Sequence, residues 1–204
     1  MFADEKKAQE LIDRICMKCN RSIEDDLWRL FEDWPNGEEG LARLERIARA
    51  MSGAGVFADQ LVAMPELAAI FVSMICTSSH LSDLIIQNTE FVSLLFDPEV
   101  LSREFGRDQV VAEGRRLLGN ATNYSHALDR LRFLKQEHTV ILAAQDIGEL
   151  KPQPDIWRGI SELAIGLVIL AQELTWNQFR KRGEYPEVCP VGIGVMGKLG
   201  GLEL

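Results

Sequence analysis

One segment in the last quarter of the chain carries the most regular apolar spacing in the sequence. Apolar residues recur there at intervals of three and four, at Trp157, Ile160, Ala164, Leu167, Ala171 and Leu174. This period predicts a long helix with an inward stripe formed by these residues and widened by Leu163 and Leu170. Because the stripe is short and includes alanines, we expect a core helix of a bundle rather than a partner-binding coiled coil.

Weaker spacing of the same kind extends over most of the chain. Further helices are predicted over residues 4–19, 108–118 and about 123–147. Between them lies an internal repeat, in which Leu61–Leu67 matches Ile85–Phe91 at an offset of 24 residues. Each copy predicts a helix, a break and a second helix, with Pro65 and Thr89 near the second start. Two copies are too few for a solenoid, so we expect stacked helical hairpins.

The pattern changes after Gly183. Residues Val188–Val195 are apolar, β-branched and glycine-spaced, which predicts a buried strand. We therefore expect a mainly α fold, a multi-helix bundle that ends in the first strand of a truncated α/β domain. The predicted domains are a helical N-terminal domain over 1–184 and the start of the α/β domain over 185–204.

Composition and charge exclude some classes of partner. Hydrophobic residues make up 47% and charged residues 26% of the chain, as in ordinary globular proteins. The net charge of −9 argues against a nucleic-acid binder, which needs a basic face. The N-terminus has no apolar signal segment, and the longest apolar run, Leu163–Ala171, is far shorter than the ~20 residues of a membrane span. We expect a cytoplasmic protein with neither nucleic acid nor membrane as a partner.

A C-x-x-C pair near the N-terminus allows three interpretations. Cys16 and Cys19 could serve redox chemistry or form half of a zinc site. Both thiols also fall on the apolar stripe of the first predicted helix, and no second cysteine pair or histidine pair completes a metal set. We therefore favour thiols packed in the core and predict no metal site.

The last residues carry the strongest functional signal. Gly197, Lys198, Gly200 and Gly201 follow the predicted strand directly. Glycines let backbone N–H groups approach phosphate oxygens, and a lysine adds a positive charge, so these residues predict a nucleotide or phosphate loop. A Walker A loop is excluded because Leu199 stands where that motif needs Ser or Thr. A Rossmann G-x-G-x-x-G, formed with Gly192 and Gly194, would be weak evidence alone.

The whole string from Met196 to Leu204 is more specific. Met-Gly-Lys-Leu-Gly-Gly-x-Glu-Leu after an apolar strand resembles the nucleotidyltransferase motif of the glutamine synthetase adenylyltransferase/adenylyl-removing enzyme family. The family often has Arg where this chain has Leu202, at a variable position. A looser similarity extends over residues 40–204, including a basic helix around 127–135.

The resemblance implies a function, cofactors and partners. In this family one nucleotidyltransferase half removes AMP from a tyrosine of glutamine synthetase by phosphorolysis, which releases ADP, and the other half attaches AMP from ATP. A motif near residue 200 resembles the N-terminal, adenylyl-removing half. Mg²⁺ and ATP or ADP are the implied cofactors of the parent enzyme, with none expected bound to this chain. Glutamine synthetase and a PII-type signal protein are the implied partners.

The family's catalytic carboxylates are not in this sequence. The motif is normally followed by Ser-Asp-x-Asp, which holds Mg²⁺, and no Asp follows Gly201. We therefore assign no catalytic residue to the chain and expect these residues alone to be inactive. The alternative is a non-catalytic helical interaction module, and a weaker one is a nucleotidyltransferase with another substrate.

Other charged residues have simpler interpretations. A basic group formed by Arg130, Arg132 and Lys135 could meet a nucleotide or an acidic partner, but a solvated helix face is favoured. The three histidines, His80, His126 and His138, are scattered, so a catalytic histidine is not expected.

Overall fold

A computed structural model describes Phe2, residues 4–181, Gly183, residues 185–195 and Gly201. Within these residues the fold is built from helices alone, so the predicted mainly α class is confirmed. In chain order the helices are α1 Glu5–Cys19, α2 Glu24–Phe31, α3 Gly37–Ala50, α4 Ala54–Ala63, α5 Pro65–Thr77, α6 Ser79–Gln87, α7 Phe91–Leu95, α8 Pro98–Leu101, α9 Arg107–Gly119, α10 Tyr124–Ile147 and α11 Gln153–Arg180.

The described residues form two compact units. The first comprises the residues up to Ser102 together with Ala143–Leu150. Its core includes three phenylalanine rings that meet largely edge to face, with the Phe57 ring 5.3 Å from that of Phe71 and 5.8 Å from that of Phe96. Aromatic pairs in this geometry add to the stabilisation that their buried area provides.

The internal repeat lies in this first unit, and each copy has the predicted helix, break and second helix, as α4 and α5 and as α6 and α7, while the stacking of hairpins stays a prediction. Proline begins α5 at its first position, and α4 and α5 meet at 115°. The repeat also places Asp59 and Asp83 in equivalent positions, and each carboxylate pairs with an arginine from earlier in the chain. Asp59 receives two hydrogen bonds from Arg21, while Arg46 lies 3.3 Å from Asp83.

The second unit contains α9, α11 and α10 as far as Leu142. Its core is a cluster of aliphatic side chains, formed by Val110, Val111, Leu134, Leu142, Leu163 and Leu170. Helix α11 approaches its neighbours through glycines. A Cβ atom at Gly166 would lie 2.7 Å from Val110 Cγ1, and one at Gly159 would lie 2.8 Å from Leu142 Cδ2.

The inward stripe predicted for α11 is in the wrong register. Its buried residues are Ile156, Gly159, Ser161, Leu163, Gly166 and Leu170. Leu163 and Leu170 are confirmed, but Trp157 is 47% exposed and Ile160 is 38% exposed. The physical reason is that Gly159 and Gly166 form the close contacts of α11 with its neighbouring helices. Apolar spacing does not reveal them, because glycine has no side chain.

Helix α11 has the length and composition of a membrane span. It has 28 residues, and an 18-residue window within it has a mean hydropathy of 1.3, with 28% of the window buried. Among the described residues, α4 and α5 together also have the length and hydropathy of a span, but a bend of 115° separates the two helices. The core helix of a globular protein has the same properties, so they are weak evidence for a membrane.

Candidate functional site

The predicted phosphate loop lies mostly outside the described residues. Gly197, Lys198 and Gly200 are not described, and Gly201 lies in an exposed turn. The assignment of these residues to phosphate binding therefore stays a prediction. What the structure does describe is the segment that leads into the loop, residues 185–195.

This segment lies along the C-terminal half of α11. The ring of Tyr185 is 4.5 Å from that of Phe179 and 6.0 Å from that of Trp176. Further along, the side-chain amide of Gln172 donates a hydrogen bond to the carbonyl oxygen of Val191. The last helix thus positions the segment that precedes the predicted loop.

The strand predicted over Val188–Val195 is not confirmed. Residues 185–195 have no regular secondary structure. Val188 is 78% exposed, and Val191 and Ile193 are 60% and 53% exposed. A segment with the sequence of a buried strand thus lies at the surface.

An apolar groove of about 620 Å³ lies between this segment and α11. Its lining includes Val168, Ala171 and Phe179 from the helix and Val191 and Ile193 from the segment. None of the described residues that line the groove carries a charged side chain. It therefore lacks the positive charge that phosphate binding favours, and the polar side chains in its lining are those of Gln172, Thr175 and Trp176.

A second groove of about 470 Å³ lies on the adjoining side of α11. Glu173 and Glu187 contribute carboxylates to it, and the indole nitrogen of Trp176 is buried there without a hydrogen-bond partner among the described residues. Glu173 is held by Arg115, with a distance of 3.0 Å between the Arg115 Nε and Glu173 Oε2 atoms. Two carboxylates at this groove also disfavour an anionic ligand.

A buried histidine–glutamate pair, which the sequence did not indicate, occurs in the second unit. His138 is 5% exposed, and its Nε2 atom lies 3.1 Å from Oε2 of Glu113. The hydrogen bond from His138 lowers the pKa of Glu113, although burial of the carboxyl acts in the opposite direction. Since Glu113 is ionised, Nε2 of His138 must carry the proton and donate it. The other ring nitrogen, Nδ1, is buried without a partner among the described residues.

The pair borders a cavity of about 280 Å³. Phe105 packs on the histidine ring with 5.0 Å between ring centroids, and Arg103 and Glu104 also contribute to the lining. In the described ranges, no group of three or more His, Cys, Asp or Glu side chains could hold a metal ion. The hydrogen bond of the pair joins two helices, since Glu113 lies on α9 and His138 on α10.

Within the C-x-x-C pair, Cys19 is the core thiol that the sequence predicts, whereas Cys16 is only partly buried. Cys19 is 2% exposed and Cys16 is partly exposed, and both are free thiols. Burial, followed by the neighbouring Cys16, raises the pKa of Cys19. A raised pKa disfavours the thiolate that redox chemistry and metal binding require.

The basic residues of α10 lie at the surface, as predicted. Arg130, Arg132 and Lys135 are all exposed. Arg132 lies 2.6 Å from Asp129, and the Nε of Arg130 donates a hydrogen bond to His126. Exposed pairs of this kind contribute little free energy and fit a solvated helix face.

Comparison with known proteins identifies relatives. A model of the glutamate-ammonia ligase adenylyltransferase family matches residues 68–204. A bifunctional glutamine synthetase adenylyltransferase/adenylyl-removing enzyme from Brucella suis is 25% identical over 178 residues, which cover 87% of this chain. A protein of the same description from Rhodopseudomonas palustris is 22% identical over 187 residues, or 90% of this chain. The matches span only 18% and 19% of the lengths of these relatives.

Proposed function

Because the chain belongs to the glutamate-ammonia ligase adenylyltransferase family, we propose that it is part of an enzyme that transfers adenylyl groups on glutamine synthetase. The observation that carries this proposal is the family match, which runs from residue 68 through the Gly-Lys string at Met196–Leu204. Relatives with this activity in their names match 87% and 90% of the chain.

We further propose that the chain belongs to the adenylyl-removing half. In that reaction an oxygen of inorganic phosphate attacks the phosphorus of AMP–tyrosine. A new bond forms between the phosphate oxygen and that phosphorus, which gives ADP. The bond from the phosphorus to the tyrosine oxygen breaks, and the tyrosine oxygen gains a proton. The support for this activity is that the names of the Brucella and Rhodopseudomonas relatives include an adenylyl-removing enzyme.

In this proposal the loop binds the phosphates. The backbone N–H groups near Gly197, Gly200 and Gly201 would approach phosphate oxygens, and Lys198 would offset their negative charge. Mg²⁺, when bound, neutralises charge during phosphoryl transfer, but the carboxylates that hold it in the family are not in this sequence. The 204 residues are therefore expected to be inactive by themselves.

The helical part has a positioning role in this proposal. Helix α11 leads into the segment that precedes the loop, and Gln172, Trp176 and Phe179 hold that segment. The helices would also supply surfaces for glutamine synthetase and, by resemblance, for a PII-type signal protein. The cytoplasm is the compartment in which we place the enzyme.

The experiment combines adenylylated glutamine synthetase with phosphate and Mg²⁺ and measures ADP. The 204-residue chain should release none, whereas a polypeptide of the relatives' length that contains it should release ADP. ADP release by the 204 residues would show that the catalytic carboxylates lie within them. No ADP release by the longer polypeptide, despite binding of ADP, would favour the opposite direction of transfer.

A second candidate is a helical interaction module without catalysis. The observation that favours it is the apolar groove beside α11, in which no described lining residue is charged. The two candidates differ in what the gene encodes after Leu204. A Ser-Asp-x-Asp within about ten residues supports the enzyme, and a stop codon supports the module.

A further inference from the structure

Helix α11 has a second apolar side, which the aliphatic core of the second unit does not cover. We define the outer face of α11 as Trp157, Ala164, Val168, Ala171, Thr175 and Phe179, which follow one another at intervals of three, four and seven residues. Such intervals place side chains on one side of a helix. Trp157 and Phe179 are 47% and 43% exposed, and Ala171 and Thr175 are exposed as well.

The charges of α11 lie on other sides of the helix. Glu162 accepts a hydrogen bond from the backbone nitrogen of Arg107, and Glu173 binds Arg115, so both face α9. A helix that only met water on its outer face would carry polar residues there. The outer face therefore has the composition of a buried surface.

The segment beside this face carries the matching pattern. Cys189, Val191 and Ile193 line the apolar groove together with residues of the outer face. They occupy alternate positions, and the residues between them are Pro190 and Gly192. Alternation with period two is the pattern of a strand that turns one face towards a core. The segment thus already presents a strand's apolar side to α11, without a neighbouring strand.

We propose that the outer face of α11 is the packing surface for a β-sheet whose first strand is Val188–Val195. The rest of this sheet would belong to the polypeptide that follows Leu204 in a protein of the relatives' length. This inference rests on the proposed function, since it takes the chain as part of a nucleotidyltransferase of that length. The family match continues to residue 204, and the chain spans only 18% of the Brucella relative.

A second copy of the chain fits the outer face less well. From Trp157 to Phe179 the helix rises about 33 Å, so a face about 11 Å wide offers roughly 400 Å². A stable protein–protein interface buries about 800 Å² on each partner. A domain of the same polypeptide needs no such area, because its covalent link removes most of the entropic cost of association.

The test introduces a charge on the outer face and uses a matched control. Ala171 is exposed on α11 and Ala112 is exposed on α9, so Ala171→Glu and Ala112→Glu make the same change on two helices of one unit. In the 204-residue chain both variants should shift Tm by less than about 2 °C. In the longer polypeptide Ala171→Glu should lower Tm by about 5 °C or more, because an unpaired carboxylate becomes buried, and Ala112→Glu should remain silent.

A second measurement does not depend on a variant. Cys189 is partly exposed, so its alkylation by iodoacetamide, followed by mass spectrometry of its peptide, reports whether the groove is covered. We expect alkylation of Cys189 to be at least about tenfold slower in the longer polypeptide than in the 204-residue chain.

Three outcomes would overturn the proposal. The first is equal alkylation of Cys189 in both polypeptides, and the second is an Ala171→Glu variant as silent as Ala112→Glu in the longer one. The third is a dimer of the 204-residue chain that Ala171→Glu dissociates, since the occupant would then be a second copy. None of these measurements uses catalysis. A longer polypeptide that protects Cys189 but releases no ADP would refute the proposed function alone.

Discussion

Nε2 of His138 donates a hydrogen bond to Oε2 of Glu113 at 3.1 Å, and the histidine side chain is only 7% exposed. The bond joins α10 to α9 inside the second unit. The first prediction follows from its effect on the carboxyl group.

Stability should fall in acid partly through Glu113. The pKa of Glu113 is lowered in the folded state, first by the hydrogen bond from His138. A lowered pKa stabilises the fold at pH values above the unfolded pKa near 4.5, and this contribution is lost as pH falls through the folded pKa. Glu113→Gln should lower the free energy of unfolding at pH 7 by about 1 kcal/mol, since the carboxylate is 32% exposed. It should also flatten the fall in stability below pH 4.5.

Urea unfolding from pH 7 to pH 3 measures both effects. Glu187→Gln, which changes an exposed glutamate of the same unit, is the control and should retain the wild-type pH profile. An unchanged acid profile in Glu113→Gln would show that the hydrogen bond does not stabilise the fold.

The second prediction concerns the glycine contact between α11 and α9. A Cβ atom at Gly166 would meet Val110 Cγ1 at 2.7 Å, while one at Gly119 would meet nothing within 4 Å. Gly166→Ala gains about 1 kcal/mol of helix propensity but introduces overpacking of up to ~3 kcal/mol, so we expect a net loss of about 1–2 kcal/mol. Gly119→Ala should be neutral or stabilising. Urea denaturation of both variants checks this, and equal stabilities would contradict the close contact.

The third prediction tests which side of α11 faces the core. In the structure Ile156 is buried, whereas the apolar spacing of the sequence predicts that Ile160 is. Ile156 is 2% exposed and Ile160 is 38% exposed. Ile156→Ala should lower the free energy of unfolding by about 3 kcal/mol, and Ile160→Ala by less than ~1 kcal/mol. Thermal unfolding of the 204-residue chain is the measurement. A larger loss for Ile160→Ala would restore the predicted register.

The fourth prediction tests the loop. In an active polypeptide of the relatives' length, Lys198→Ala should lower the rate of ADP release by about 100-fold, because a cation at the phosphates is lost. Lys181→Ala removes an exposed lysine at the end of α11 and should leave the rate unchanged. Unfolding curves should be the same for both variants. A Lys198→Ala enzyme with the wild-type rate would exclude the phosphate-binding role.

The residues that sequence reasoning predicted well act locally. Pro65 begins α5 as expected, since proline fits the first helical position and breaks the preceding helix. Leu163 and Leu170 are buried as expected, because their apolar period selects a side of the helix. Cys19 is a core thiol for the same reason.

The residues that sequence reasoning missed either contact a residue far away in the sequence or matter because they have no side chain. Glu113 and His138 are 25 residues apart, and no local pattern indicates that they meet. Gly159 and Gly166 carry no side chain to count, yet their contacts set which side of α11 faces inward. The predicted phosphate loop was recognised from its string of residues, and its geometry stays a prediction.

Helix α11 owes its hydropathy to apolar side chains on two sides, one inside the second unit and one at its surface. Scales that average over a window cannot distinguish such a helix from one that faces lipid, because both lack a broad polar side. For chains of this kind the arrangement of the few charges is more diagnostic than the average. In α11 the two glutamates that flank the apolar run, Glu162 and Glu173, are hydrogen-bonded to a neighbouring helix, an arrangement typical of packing within a protein.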